Sequence, residues 1–414
     1  MDTSLSLAQL KRRYFAIISL FSFAQALPIA ILVLFTQARG LDLLQVGFVF
    51  GAYTLAIVLL EVPTGGLADT IGRRRVTLIA VGITLISQLV LVSAFSFWQF
   101  LMFAALGGAG RALISGAPEA WFIDGLKTVD EALDIQPPLA QAEIFATISL
   151  ASATLLGGLL PDWFAFLPAG ALLSPLSVPI FASALCFLLL GVVVAILMRE
   201  VPTTRTPKEA SLPRLLREAF VLSASSPVIM LLLLASVATG VVTVGLETFW
   251  QPFFKSLLGE QANSTYLFGI LLAGSFALAS LGSLASIWLS RLLKRRYALV
   301  AAVAEVGQLS AILLLAWQTS AFVAAPLFWL AYFSRGVLAS PQATLLNNEV
   351  PNEKRSSILS IRSLVFALGG FLGSVSLGYL ADTFSIRTAW TFAGFSLLVA
   401  VACYLIIFVR TRER

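Results

Sequence analysis

Six ionisable side chains, Glu61, Arg111, Glu119, Glu247, Glu305 and Arg335, fall inside runs of sequence that are otherwise apolar, with Gln25, Gln342 and Asn347 as polar company. An ionised group surrounded by hydrocarbon is expensive, so such residues face a partner or a water-filled cavity. The chain has no histidine, which removes the commonest metal ligand and the usual side chain titrating near neutrality. Carboxylates are then the groups left to take up and release protons, because desolvation favours their neutral form. Glu61 and Glu119 are the proton-carrying candidates, and Arg111 is the candidate that couples to them. Glu61 lies about two turns before Asp69, and Glu119 about one turn before Asp124, so both approach the same end of their helices. Arg111 sits about mid-run, eight residues before Glu119; on one continuous helix that is roughly 12 Å, too far for a direct ion pair. Its expected partners are backbone carbonyls, a neighbouring helix near Gln25, or cavity water. Glu247 and Trp250, in "GLETFWQP", could hold a cationic amphiphile between carboxylate and ring face. Arg335, Gln342 and Asn347 complete the set expected to line a substrate cavity. No metal-ligand cluster and no phosphate loop accompanies them; "GGAG" at 107–110 reads as close helix packing, so neither a metal, a cofactor nor ATP hydrolysis is expected.

The elements that position these groups follow from composition. The chain has 414 residues, 59% of them hydrophobic and only 12% charged, with a mean hydropathy of +0.94. A soluble domain carries about a quarter charged residues, whereas crossing ~30 Å of hydrocarbon takes about 20 apolar residues in a helix. Twelve such runs are expected, near 14–36, 43–66, 76–96, 98–123, 140–160, 177–198, 227–250, 264–289, 297–317, 319–345, 358–381 and 388–409. Nearly all the basic residues between runs, among them Lys11–Arg13, Arg73–Arg75, Arg199, Arg205, Lys294–Arg296 and Arg410, then fall on one side. Only Arg39, Lys255 and Arg387 fall on the other, which puts both termini in the cytoplasm. The net charge of +6 therefore reflects topology rather than nucleic-acid binding. "MDTSLSLAQLKRRYF" leads straight into the first run with no small-residue cleavage site, so no cleaved leader is expected. Cys186 and Cys403 lie inside runs and imply no disulfide framework. Trp98, Trp163 and Trp317 read as interfacial anchors.

The polar segment 199–226 divides the runs six and six, and the two halves resemble each other in order. Arg73 and Arg74 match Arg295 and Arg296; Arg111 and Pro118 match Arg335 and Pro341; "GLLPD" (158–162) matches "GYLAD" (378–382). A repeat of six runs in the same orientation implies two bundles, 1–198 and 227–414, joined by a linker at 199–226, with a substrate cavity between them.

On these residues the chain resembles the major facilitator superfamily over essentially its whole length. Gly65, Leu67, Ala68, Asp69, Gly72, Arg73 and Arg74, in "EVPTGGLADTIGRRRV", look like the family's signature between spans two and three, and Arg111 with Gly116 looks like its span-four arginine motif. "EVPTGGLAD", "SGAPEAWFID" and "NNEVPNEKRSSILSIRSL" are similar to bacterial members grouped with drug-efflux permeases, including macrolide and tetracycline-type exporters. The resemblance implies an all-α integral membrane fold of twelve helices in two six-helix bundles around a central cavity. It further implies a monomeric secondary transporter of the bacterial inner membrane that moves a small amphipathic molecule, with protons as coupling ion and efflux as direction. Gly65, Asp69, Gly72, Arg73, Arg74 and Asp124 would form the gate: Asp69 against the start of span eleven, Arg73 paired with Asp124. Gly157 and Gly158 in span five lack the glycine-proline pair of the antiporter signature, which leaves a uniporter or a proton symporter for metabolite uptake open. A non-transporting membrane scaffold or sensor is the alternative from another class.

Overall fold

In a computed structural model the chain is described at residues 6–65, 67–168, 170, 172–199, 226–259, 264–350 and 355–412. Among these residues there is no strand, and eleven helical stretches are long and apolar enough to cross a membrane. The first expected span is the exception in form. It is split into α1 (Leu7–Ala26) and α2 (Leu32–Ala38) by turns at 27–31, where Pro28 contributes no N–H and the backbone closes short-range bonds, Ile29 to Ala26 and Ile31 to Pro28. With that interrupted span the protein is a multi-pass, all-α integral membrane protein.

The remaining helices are α3 (Leu43–Gly65), α4 (Leu67–Ile71), α5 (Arg73–Val92), α6 (Phe97–Ile114), α7 (Ala117–Val129), α8 (Gln136–Trp163), α9 (Val178–Leu197), α10 (Pro227–Leu258), α11 (Tyr266–Leu292), α12 (Tyr297–Ala316), α13 (Ala321–Glu349), α14 (Arg355–Thr383) and α15 (Ile386–Arg412). The expected linker 199–226 lies outside the described residues except for Arg199 and Ser226.

The span expected at 98–123 is not one helix. Gly116 takes φ +86°, a left-handed conformation that costs glycine little, and Pro118 opens the next helix, so α6 stops before it and α7 starts after it. The matching stretch around Pro341 stays inside one continuous helix, α13.

Two compact units organise the chain. Unit 1 holds Met1–Phe35, Ala56–Ser211 and Ser264–Ala273; unit 2 holds Thr36–Leu55, Leu212–Asn263 and Gly274–Arg414. Lipid contributes no hydrophobic drive between helices, so close approach through small residues does that work. In unit 1 a Cβ at Gly157 would strike the Leu27 carbonyl, one at Gly158 the backbone of Gly269, and one at Gly110 the Thr84 hydroxyl. Gly110, the last glycine of "GGAG", is thus spent on packing. In unit 2 Gly240 meets the backbone of Phe366, and Gly369 and Gly373 meet Val237 and Val241. Large apolar side chains point outward along the helices, and Trp98, Trp163 and Trp317 are exposed near helix ends. Both cysteines are free thiols.

Candidate functional site

Unit 1 contains a cavity of about 620 Å³. Its wall comes from α1 (Tyr14, Phe21, Ser22, Gln25), from the break between α6 and α7 (Arg111, Ser115, Gly116, Glu119), and from α8 (Glu143, Thr147). The local sequence explains the layout. Arg111 lies in the last turn of α6 and Glu119 in the first turn of α7, on either side of the break at Gly116, and both border one space. Tyr14 is fixed by stacking on Phe122 with ring centroids 4.1 Å apart. Phe15, its neighbour in sequence, stacks on Phe145 at 5.1 Å. These contacts tie α1 to α7 and to α8.

Arg111, Glu119 and Glu143 are all exposed within this wall. Among the described residues, no hydrogen bond or ion pair engages the Arg111 guanidinium. The cavity therefore offers one free cation, two carboxylates, hydroxyls and aromatic edges. Such a surface is suited to a molecule with both polar and apolar parts. Glu143 is a residue that sequence reasoning passed over; its signal was an acid inside the apolar run 140–160, of the same kind as Glu61 and Glu119. Glu61 is half-buried on α3 and does not border the cavity.

A second arrangement closes the end of unit 1 where α9 terminates. Arg73, buried, pairs with Asp124 at 2.6 Å. Gly72, with φ +97°, turns the chain into α5 and aims Arg73 at α7. Arg74 donates to the Ala195 carbonyl at 2.8 Å, Arg13 to Leu197 at 3.1 Å, and the Trp121 indole to Arg199 at 2.7 Å. The last carbonyls of a helix have no intrahelical donor and carry partial negative charge, so two guanidiniums and an indole are suitable partners. Gly65 and Asp69 lie on α3 and α4, but the Asp69 side chain is outside what is described, as are the side chains of 355–357 and 359–360 at the start of span eleven that Asp69 was expected to meet.

A third feature lies at the far end of α8, also in unit 1. Asp162 accepts from the Thr265 amide (2.8 Å), the Thr265 hydroxyl (3.1 Å) and the Tyr266 amide (2.9 Å), capping α11.

In unit 2 most of the expected cavity residues are engaged by protein partners. Arg335 pairs with Glu247 at 2.8 Å, both side chains part-exposed. Gln342 donates to Ser236 at 3.3 Å and accepts from Arg362 at 2.9 Å. Asn347 is half-buried near the end of α13. Trp250 corrects an expectation: it is 1% exposed and stacks on Phe328 at 5.5 Å, so its ring face is not open to a ligand beside Glu247. Its position on α10 buries it because that helix is enclosed along most of its length.

Transmembrane helices that converge charged residues on an internal cavity define a class, the polytopic solute carriers. The Major Facilitator Superfamily model matches residues 14–374, and the chain belongs to that family. It is therefore a transporter, not an enzyme, with the family's fold of two six-helix bundles. It is 20% identical over 390 residues to the "Uncharacterized MFS-type transporter YxaM" of Bacillus subtilis (strain 168), covering 91% of this chain and 90% of that protein. Among solved structures it is similar to the nucleoside transporter NupG, at a TM-score of 0.75 and 18% identity over 97% of this chain and 98% of the other. It is also similar to a bacterial homolog of the human lysosomal transporter Spinster, at 0.79 and 17% over 98% and 97%. At these identities the structural likeness speaks for the fold alone.

Proposed function

We propose that this transporter exports a small amphipathic molecule by alternating access, with protons as the coupling ion, and that the unit 1 cavity is where substrate and proton meet. The observation that carries the reading is the convergence of Arg111, Glu119 and Glu143 on one space of about 620 Å³, with Arg111 free of any described protein partner. In a low-dielectric setting an uncompensated charge is costly. One cation and two carboxylates leave the wall one negative charge in excess, which a single proton offsets. Substrate approaching Arg111 would then compete with the acids for that cation and change their hold on the proton. The ion pair Arg73–Asp124, with Arg74, Gly65, Gly72 and Asp69, is the proposed gate. The protein acts as a monomer in the bacterial inner membrane with both termini cytoplasmic, and residues 1–198 and 227–414 are the two moving bundles.

Uptake of a metabolite by symport or uniport is the second reading. It is favoured by Gly157 and Gly158, which lack the antiporter signature and are occupied in helix contacts with Leu27 and Gly269. Flux in proteoliposomes with and without a pH gradient separates the two. Gradient-driven export that survives in Glu119→Gln but is lost in Glu119→Gln/Glu143→Gln supports the cavity acids as carriers. Full gradient-driven flux in the double variant would place the proton elsewhere, with Glu61 next to test; flux indifferent to the gradient in wild type would leave a uniporter.

A further inference from the structure

The cavity of unit 1 carries charges of both signs that do not neutralise one another. Arg111 in the last turn of α6, Glu119 in the first turn of α7 and Glu143 on α8 border it, and all three are exposed there. Among the described residues, none of the three side chains makes a hydrogen bond or an ion pair, either with one another or with a third group. Unit 2 shows what proximity does to such groups, since Arg335 and Glu247 meet at 2.8 Å. Opposite charges within reach of one another attract strongly where the dielectric is low. That Arg111 has no described partner therefore means that the packing holds it away from both acids.

Tyr14 marks where the acids lie. It stacks at 4.1 Å on Phe122, three residues after Glu119 on α7. Its neighbour Phe15 stacks at 5.1 Å on Phe145, two residues after Glu143 on α8. The charges that bear on the Tyr14 hydroxyl are those of Glu119 and Glu143. Both carboxylates thus belong to the Tyr14 end of the cavity, whereas Arg111 enters from α6, before the break at Gly116. Along α1 the wall beyond Tyr14 is apolar, with Ile17, Ile18 and Phe21, until Ser22 and Gln25. From Tyr14 to Gln25 that face runs roughly 17 Å at 1.5 Å per residue. The cavity therefore has an acidic pole, a basic pole and an apolar wall.

We propose that the transported molecule is a zwitterion, with an ammonium group between Glu119 and Glu143, a carboxylate on Arg111, and an apolar body separating the two. The proposal rests on the reading of this cavity as the substrate's. An ammonium has three donors, enough for two carboxylates and the Tyr14 oxygen, and a guanidinium takes a carboxylate through two parallel N–H groups. A ligand with one charge answers one pole and leaves the other desolvated without a partner, which is costly. A ligand with both charges answers both and lays its apolar part along Ile17, Ile18 and Phe21. The volume of about 620 Å³ suits a compact molecule, such as an ω-amino acid or a short apolar peptide with free ends. The ammonium brings the acids the same single positive charge as a proton, so the two exclude each other there in either direction of transport.

The test is equilibrium binding to the full chain in lipid nanodiscs at neutral pH, by calorimetry, with empty nanodiscs subtracted. The probes are 6-aminohexanoate, 8-aminooctanoate and 10-aminodecanoate, set against octylamine and octanoate, which keep one charge each. The best of the three zwitterions is expected to bind on the order of tenfold more tightly than either single-charge probe. Arg111→Gln should bring it down to the level of octylamine, and Glu119→Gln/Glu143→Gln to the level of octanoate, while Arg111→Lys, which keeps the charge, retains the preference. If binding responds to these variants but octylamine or octanoate matches every zwitterion in wild type, the cavity stands as the substrate site and the zwitterion class is overturned. If binding is the same in wild type and in all variants, the probes do not occupy this cavity and both readings fall. The wild-type ranking needs no variant, so a variant that does not fold leaves the proposal open to refutation.

Discussion

Arg111 and Arg335 match in the sequence repeat, yet unit 2 gives its arginine a counter-ion and unit 1 does not. Arg335 pairs with Glu247 at 2.8 Å. Glu247 lies 222 positions after Gln25, within the offset of the repeat, and Gln25 is neutral. Where unit 2 carries a carboxylate, unit 1 carries an amide beside a cavity, and its acids, Glu119 and Glu143, come from other helices. A duplicated bundle can thus keep the same arginine with a counter-ion in one copy and with no described partner in the other. The helix break at Gly116, absent from the continuous α13, is the local change that accompanies this difference.

The comparison is broken most directly at Arg111. Arg111→Gln is expected to reduce transport on the order of a hundredfold, about 3 kcal/mol at 1.4 kcal/mol per decade, with little change in Tm, because no described bond is lost. A fall in Tm with unaltered flux would make Arg111 a packing residue. Removing Arg73 tests the closed end of unit 1 on the opposite signature. Arg73→Ala strands Asp124 and is expected to cost about 3 kcal/mol of stability, as for other enclosed ion pairs. Part of this should return in Arg73→Ala/Asp124→Asn, and an additive double variant in chemical unfolding would remove the pair from the account.

A sharper version makes unit 1 resemble unit 2. Gln25→Glu offers Arg111 a partner of the kind Arg335 has, and transport should fall on the order of tenfold, roughly 1.4 kcal/mol, with Tm unchanged or raised. Wild-type flux in this variant would mean that the arginine need not be free. The smallest effect belongs to Arg335→Gln. Its ion pair is part-exposed, so screening limits the loss of stability to about 1 kcal/mol, read from the unfolding midpoint. A loss as large as that of Arg73→Ala would show that the two ends of the comparison had been ranked wrongly.

Much of the architecture was legible because membrane physics is one-dimensional: 20 apolar residues at a time must span, and every backbone group inside must bond within its helix. The Arg73–Asp124 pair was legible through the family motif, and the ordered repeat located Arg335. Three things were less so. Trp250 looked available for a ligand, but an aromatic near a helix end is open or enclosed according to what packs beside it, and here Phe328 covers it. Glu143 was visible as an acid in an apolar run and carried no motif to raise it above the others. The helix break between Arg111 and Glu119 was missed by reading the span as unbroken, although "SGAP" holds both the glycine and the proline that break it.

By itself the sequence determined the class of the protein: the apolar runs, the excess of basic residues on one side, the duplication and the motif around Asp69 and Arg73 depend only on order and composition. Tertiary structure alone decided which charges meet. Arg335 found Glu247 and Arg111 found no described partner because ion pairing depends on a few ångströms between side chains from helices distant in the chain. Those ångströms are set by how small residues let helices approach and by where Pro28 and Gly116 interrupt the helices. The linear order holds none of these distances; the packed helices do.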